Sequence, residues 1–497
     1  MVPRSLGQRW FSSSPLALAK KLKASRAPRQ KPSGGGGGGG DAVKQAMPGP
    51  PNAGQFGRLQ FVDPSQRAAH KNTISKVNEF SQLRIDPGIR NAIDKHLLGH
   101  FEVRKPTPIQ TIATKAIRSP KADLSKTTKG GLQTYLIAAE TGSGKTLSYL
   151  APILSDLKEN PATDENGTDL SRANIVRSVV LVPTLELISQ VGETLSKMNL
   201  NKDGLHLTHA VSGFGLDKSI SKIRHRTDVL VTTPDRFLNL FKDPIAAKSA
   251  LRYCQHLVVD EADTLMDQSF HESTTKAIGM LPNLRKLIFC TATVPRRFDK
   301  AIESMYPNAM RILAPSLHRI PNHVSFKMVD VSKHPYNNNK PLALEMALYA
   351  IYKDNTEPGL VKRVVVFVNK ASSIEQIVET LNAKGYQAVG TSGSITPKER
   401  MGLVHDFVHA APSAEESESK MLVLVTTDVL ARGVDMQGVR NVILYDLPHS
   451  STDLLHRAGR TGRLKKRGRV VVLVSNKERK PWVNGLEKIV KSGRPLT

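Results

Sequence analysis

Short runs of β-branched and aliphatic residues recur along this chain, spaced so that one amphipathic helix fits between successive runs. Tyr135 to Glu140, Ser178 to Pro183, Val229 to Pro234, His256 to Glu261 and Lys286 to Ala292 form a first series. Arg363 to Val368, Met421 to Thr427, Asn441 to Pro448 and Arg469 to Ser475 form a second. Runs that are apolar throughout belong to strands covered on both faces, and helix-length crossovers join parallel strands. The spacing therefore predicts an α/β protein of two similar domains, each a mostly parallel sheet with helices on both faces. Residues 314–340, with Pro315, Pro321, Pro335 and the run Asn337-Asn338-Asn339, read as an interdomain linker. The first domain is placed at 76–313 and the second at 341–497.

The residues before the first series have a different character. Residues 1–40 contain no Asp or Glu, while Arg4, Arg9, Lys20, Lys21, Lys23, Arg26, Arg29 and Lys31 are spread among Ser, Ala and Leu. This is the composition of a mitochondrial presequence with a Gly-rich end, and Arg9-Trp10-Phe11-Ser12 has the form of a matrix-processing site. A basic tail that holds RNA is the alternative. The glycine run Gly34 to Gly40 and the segment Met47-Pro48-Gly49-Pro50-Pro51 predict a disordered linker over 41–75, with folding starting between Phe61 and Phe80. A net charge of +27 favours a polyanionic partner but does not distinguish RNA, DNA and anionic membrane. No apolar run reaches the roughly 20 residues of a membrane span. Cys254 and Cys290 sit beside apolar runs and read as core thiols rather than a disulfide or zinc framework.

Three segments carry chemistry. Ala139-Glu140-Thr141-Gly142-Ser143-Gly144-Lys145-Thr146 follows a strand and opens a helix, so its backbone amides can wrap phosphates at a positive helix end. Lys145 would reach the β and γ phosphates and Thr146 would bind Mg2+. Asp260-Glu261-Ala262-Asp263 ends a strand at the carboxyl edge of the sheet, where open α/β sheets bind ligands. Asp260 suits metal coordination and Glu261 water activation. His456-Arg457-Ala458-Gly459-Arg460-Thr461-Gly462-Arg463 presents arginines at intervals of three, and Arg460 and Arg463 could grip a γ-phosphate across a cleft.

These segments, in this order, resemble the DEAD-box family of ATP-dependent RNA helicases, from about Phe80 to Ser475, and in particular a mitochondrial RNA helicase of fungal type. The resemblance implies two tandem RecA-like domains with ATP and Mg2+ as cofactors. It implies a Q motif in Pro106-Thr107-Pro108-Ile109-Gln110, with Gln110 reading adenine and Phe80 stacking on it. It implies that Thr291 and Thr293 of Cys290-Thr291-Ala292-Thr293 act with Asp263, His456 and Arg457 to couple nucleotide state to the domain interface. Asp435 would hold the ATP ribose. RNA phosphates would meet Pro183, Thr184, Gly213, Thr233, Pro234 and Arg236 in the first domain and Gly393, Thr426 and Gly433 in the second, with Arg400 nearby. Two departures stand out: Leu185 replaces an arginine and Asp235 a glycine, and both weaken phosphate attraction.

Backbone contacts of this kind read little sequence. The expected activity is local unwinding of structured RNA by a monomeric core in the mitochondrial matrix. The expected target is ribosomal RNA in large-subunit assembly intermediates. An ATP-dependent RNA clamp, a helicase for intron splicing or RNA turnover, and an unrelated P-loop DNA helicase or transporter ATPase are the alternatives.

Overall fold

The computed structural model describes residues 59, 72–99, 104–119, 131–163, 166–170, 172–200, 205, 207–209, 226–354, 356–358, 360–408, 421–428, 436, 438–462, 466–478 and 482–496. The proposed presequence therefore lies outside the described residues. Two sheets hold the chain together, and every strand pairing within them is parallel. The first contains β1 (Gln133–Ala138), β2 (Ser178–Leu181), β3 (Leu207–His209), β4 (Val229–Thr232), β5 (His256–Asp260), β6 (Lys286–Thr291) and β7 (Met310–Leu313), in the order β3-β4-β2-β5-β6-β1-β7. The second contains β8 (Val324–Asp330), β9 (Lys362–Phe367), β10 (Gln387–Thr391), β11 (Met421–Thr426), β12 (Asn441–Leu444) and β13 (Gly468–Val474), in the order β10-β11-β9-β12-β13-β8. This is the doubly wound α/β architecture that the strand spacing predicts.

Continuous apolar runs bury both faces because side chains alternate across the pleat. In β1, Tyr135 and Ile137 pack into one core while Leu136 and Ala138 pack into another on the opposite face. β9 repeats the division, with Val364 and Val366 on one side and Val365 and Phe367 on the other. Helices cover each face, and hydroxyls cap several of their starts. Thr107 caps the helix Pro108–Ile117, Thr184 the helix Leu185–Lys197, Thr233 the helix Pro234–Leu240 and Ser450 the helix Ser451–Ala458. Parallel strands place their carboxyl ends, and the helix starts that follow them, along one edge of each sheet.

Two boundary expectations change. The segment 314–340 is not linker throughout, because β8 lies within it and pairs along its length with β13. Its Val324 and Phe326 are buried while Ser325 and Lys327 face outward, an edge-strand pattern that the flanking prolines conceal. The span between the sheets is thus 314–323. The segment 41–75, expected to be a disordered linker, contains Leu59, which is 1% exposed, packs with the second sheet's core and forms an antiparallel bridge to Pro295. A single leucine in a polar, Pro-rich stretch gives no periodic signal.

Candidate active site

The phosphate-binding loop lies between β1 and the fifteen-residue helix Lys145–Glu159. Gly142 and Gly144 have φ of 75° and 85°, the left-handed region that favours glycine. A Cβ on Gly144 would also lie 2.3 Å from Gln110 Nε2. Ala139, which opens the loop, has no such backbone and is buried in the core, so its methyl group is accommodated. Lys145 Nζ donates to the Glu140 carbonyl at 3.3 Å, and Gln110 Nε2 donates to the Gly144 carbonyl at 3.2 Å. Gln110 Oε1 accepts from Thr107 N–H at 2.9 Å, so one glutamine ties its own helix start to the phosphate loop.

Asp260 ends β5 beside this loop and Glu261 follows it, both buried. Burial and the neighbouring Glu261 carboxylate push Asp260 up to about 6. Tyr149, one turn along the Lys145 helix, donates its hydroxyl to Asp260 Oδ2 at 2.8 Å, and Asp260 Oδ1 accepts the Glu261 N–H at 2.9 Å. Glu261 has a left-handed backbone, φ 48°, and its Oε2 is buried without a hydrogen-bond partner. Such a conformation in a non-glycine residue costs on the order of 1 kcal/mol and is stored where a side chain must be aimed. Arg460 of the second domain is buried near this pair; burial lowers it to about 10, and the Glu261 carboxylate opposes the shift. It stays a cation at neutral pH.

The domains meet around Asp263. Thr293 Oγ1 donates to Asp263 Oδ2 at 2.5 Å, and His456 Nε2 lies 3.4 Å from the same oxygen and 3.5 Å from the Thr293 hydroxyl. Glu261, Asp263 and His456 bring one ligand atom each within 4.8 Å of one another. Thr291 Oγ1 donates to the Thr293 carbonyl at 2.9 Å and so stiffens this loop. Thr141 Oγ1 donates to the Gly459 carbonyl at 3.1 Å, joining the phosphate loop to the arginine segment. Arg457 turns inward instead: it makes a two-pronged ion pair with Asp428 at 2.7 and 2.8 Å and donates to Asn369 Oδ1 at 2.7 Å.

The expected RNA rim divides. Thr184, Thr233 and Arg236 keep partly exposed surface, and Gly393 is exposed. Their helix starts point positive ends along the rim, a setting suited to phosphate. Pro183, Pro234 and Thr426 are buried, so side-chain contact with RNA is corrected there: all three are packed into the ends of strands or the start of a helix. Phe80 is likewise corrected. It is 2% exposed and packed among Leu83, Ile89 and Ile109, offering no face to adenine. Arg400 is not at the rim surface but ion-paired across the cleft with Glu186 at 3.1 Å. Leu185 packs against the first core, and Asp235 is exposed in the first turn of its helix, where a carboxylate suits the dipole. Gly213, Gly433, Asp435 and Arg463 lie outside the described residues.

Sequence reasoning missed Tyr149, whereas Glu186, Asn369 and Asp428 stand in segments it assigned to RNA contact and instead hold Arg400 and Arg457. Tyr149 had a signal, since it stands four residues after Lys145 on the same helix face.

Residues 107–301 match the DEAD/DEAH box helicase family, and residues 347–465 match the helicase conserved C-terminal domain. The mitochondrial ATP-dependent RNA helicase MRH4 of Vanderwaltozyma polyspora is 36% identical, over 90% of this chain and 90% of the relative. The protein of the same name from Saccharomyces cerevisiae is 36% identical, over 98% of this chain and 94% of the relative. Among solved structures, Dbp5 of S. cerevisiae bound to RNA and ADP BeF3 superposes with a TM-score of 0.61 at 22% identity, over 84% of this chain and 99% of that one. The DEAD-box helicase Mss116 bound to ssRNA and UDP-BeF gives 0.62 at 23% identity, over 82% of this chain and 76% of that one. These two share the fold. With family matches covering both domains and relatives matched over nearly their whole length, the chain belongs to the DEAD-box family of ATP-dependent RNA helicases.

Proposed function

We propose that this protein works in mitochondria as an ATP-driven remodeller of structured RNA, with ribosomal RNA in large-subunit assembly as its target. The relatives' mitochondrial designation and the acid-free stretch over residues 1–40 support the location. The surplus of cations supports a large polyanionic target.

The observation that carries the reading is the Asp263–Thr293–His456 cluster, in which one carboxylate is shared between the nucleotide strand and the second domain. In the proposed cycle Gln110 reads adenine while Lys145 and the loop amides hold the phosphates. Glu261 orients the attacking water and accepts its proton. Arg460 and Arg463 stabilise charge developing on the γ-phosphate, and Asp435 holds the ribose. Thr146 and Asp260 would hold Mg2+. A divalent cation fits here because Asp260 and Glu261 are adjacent buried carboxylates and Glu261 Oε2 has no hydrogen-bond partner. Such an ion neutralises phosphate charge when bound. Closure of the two domains on ATP and RNA would bring the rim helix starts and Gly393 against one strand's backbone, and phosphate release would reopen the cleft.

Strand displacement and RNA-stimulated hydrolysis by the purified protein test the activity, and Glu261→Gln tests the chemistry. Full RNA-stimulated hydrolysis by that variant would remove Glu261 from its role. Crosslinking in isolated mitochondria, followed by sequencing of bound RNA, tests the target: reads confined to introns or messages would replace ribosomal RNA. A clamp remains the second reading, favoured by Leu185 and Asp235 on the rim. ATP-dependent RNA retention without strand displacement would select it.

A further inference from the structure

Leu317 and Ile320 stand three positions apart and belong to different cores. Leu317, 1% exposed, packs under the first sheet, and Ile320, 4% exposed, packs under the second. His318 and Arg319, between them, therefore stand where the chain passes from one core to the other. His318 is 1% exposed and has φ 62°, a left-handed backbone that a non-glycine residue keeps only when its surroundings fix it.

Its polar atoms tie three segments together. Nε2 accepts the backbone N–H of Val294 at 2.9 Å. Val294 directly follows Thr293, whose hydroxyl binds Asp263 and approaches His456. The His318 carbonyl accepts the N–H of Leu496 at 2.9 Å, and the Leu496 side chain is buried in the second core beyond the helix Val483–Lys491. On the other side of Val294, Pro295 pairs with Leu59, which also packs with the second core. The Thr291–Thr293 loop is thus fastened, through one imidazole, to the crossing between the two cores.

We propose that this crossing is the pivot between the domains and that His318 is a positioning residue that couples hydrolysis to strand separation, by holding the Thr291–Thr293 loop to it so that rearrangement at Asp263 becomes domain rotation. This rests on the helicase reading above. Hinge residues of this kind sit away from the chemistry yet set how much of it is converted into motion.

The test compares His318→Gly with His318→Gln in the full chain. Glycine keeps the left-handed backbone and the carbonyl that Leu496 uses, and deletes only the imidazole. Glutamine restores an acceptor at similar reach. The expected result for H318G is a drop of about tenfold in strands separated per ATP hydrolysed, with KM for ATP within about twofold of wild type. H318Q should recover most of the loss. An unchanged ratio in H318G, an equal loss in both variants, or an H318G that does not fold would overturn the proposal, the last by making the imidazole a strut. A wild type that neither separates strands nor hydrolyses ATP faster with RNA would instead sink the helicase reading.

Discussion

Strand β5 carries a buried acidic centre at each end, and the two could hardly differ more. At its carboxyl end Asp260 sits beside a second carboxylate, and burial with that neighbour pushes it up to about 6. At its amino end His256 meets Asp156, around which Arg118 and Lys286 also gather. Burial alone would push Asp156 up, yet the His256 hydrogen bond and the Lys286 ammonium hold it well below the usual carboxylate range. One end is a matched ion cluster that fastens the sheet to the helix Lys145–Glu159; the other is a charge imbalance held in place by the fold. Two carboxylates buried side by side mark the end where a bound ligand can supply further positive charge.

The largest way to break this contrast is at the unmatched end. Arg460→Ala should lower RNA-stimulated kcat by about 10³, equivalent to roughly 4 kcal/mol, because the cation is placed for charge that appears only in the transition state. Hydrolysis measured at saturating ATP and RNA checks it. A loss of less than about tenfold would leave Arg460 as a packing residue.

At the matched end, Asp156→Ala should cost about 3 kcal/mol of stability, since it strands buried cations. Activity per folded molecule should stay near wild type. Denaturant unfolding at neutral pH measures the first and a hydrolysis assay the second. The sign with pH follows from the depressed folded value: the stabilisation is present above the ordinary carboxylate range and is lost as pH falls below it. A variant as stable as wild type would mean that the cluster is balanced by its own desolvation.

These two ends were unequally legible in the sequence. The strands, the phosphate loop and the acidic tetrad were readable because apolar runs and glycine spacing are local signals. Asp156 gave none, being one acid in a helix whose partners Arg118, His256 and Lys286 lie far along the chain. Tyr149 offered only its place one turn after Lys145, and its hydroxyl matters only once β5 is beside it. Phe80 misled because an aromatic at the right side of a motif can stack on a base or fill a core, and only packing decides. β8 was lost among prolines that lie outside the strand itself.

Asp260→Asn should separate stability from activity. The raised folded value makes the ionised carboxylate unfavourable: the penalty is absent below the unfolded pKa and grows as pH rises from about 4 through about 6. In protein free of nucleotide and metal, the asparagine variant should gain about 1–2 kcal/mol at neutral pH, and nothing at the acid end, while hydrolysis is lost. Unfolding curves at pH 4 and pH 7 check it; an equal shift at both pH values would assign the gain to packing.

The smallest effect belongs to the rim, where charges face water. Asp235 is exposed in the first turn of the helix Pro234–Leu240, so its carboxylate favours the helix and opposes a phosphate at the same place. For a phosphate about 6 Å away in a water-like dielectric the repulsion is about 0.7 kcal/mol, or roughly threefold in affinity. Asp235→Asn should tighten single-stranded RNA by that factor at low salt and by less as salt rises, because exposed charges are screened within about 10 Å at 0.1 M. A titration at two salt concentrations decides. No change at low salt would mean that RNA passes this helix start at a distance, and would leave Leu185 as the one departure expected to weaken the grip.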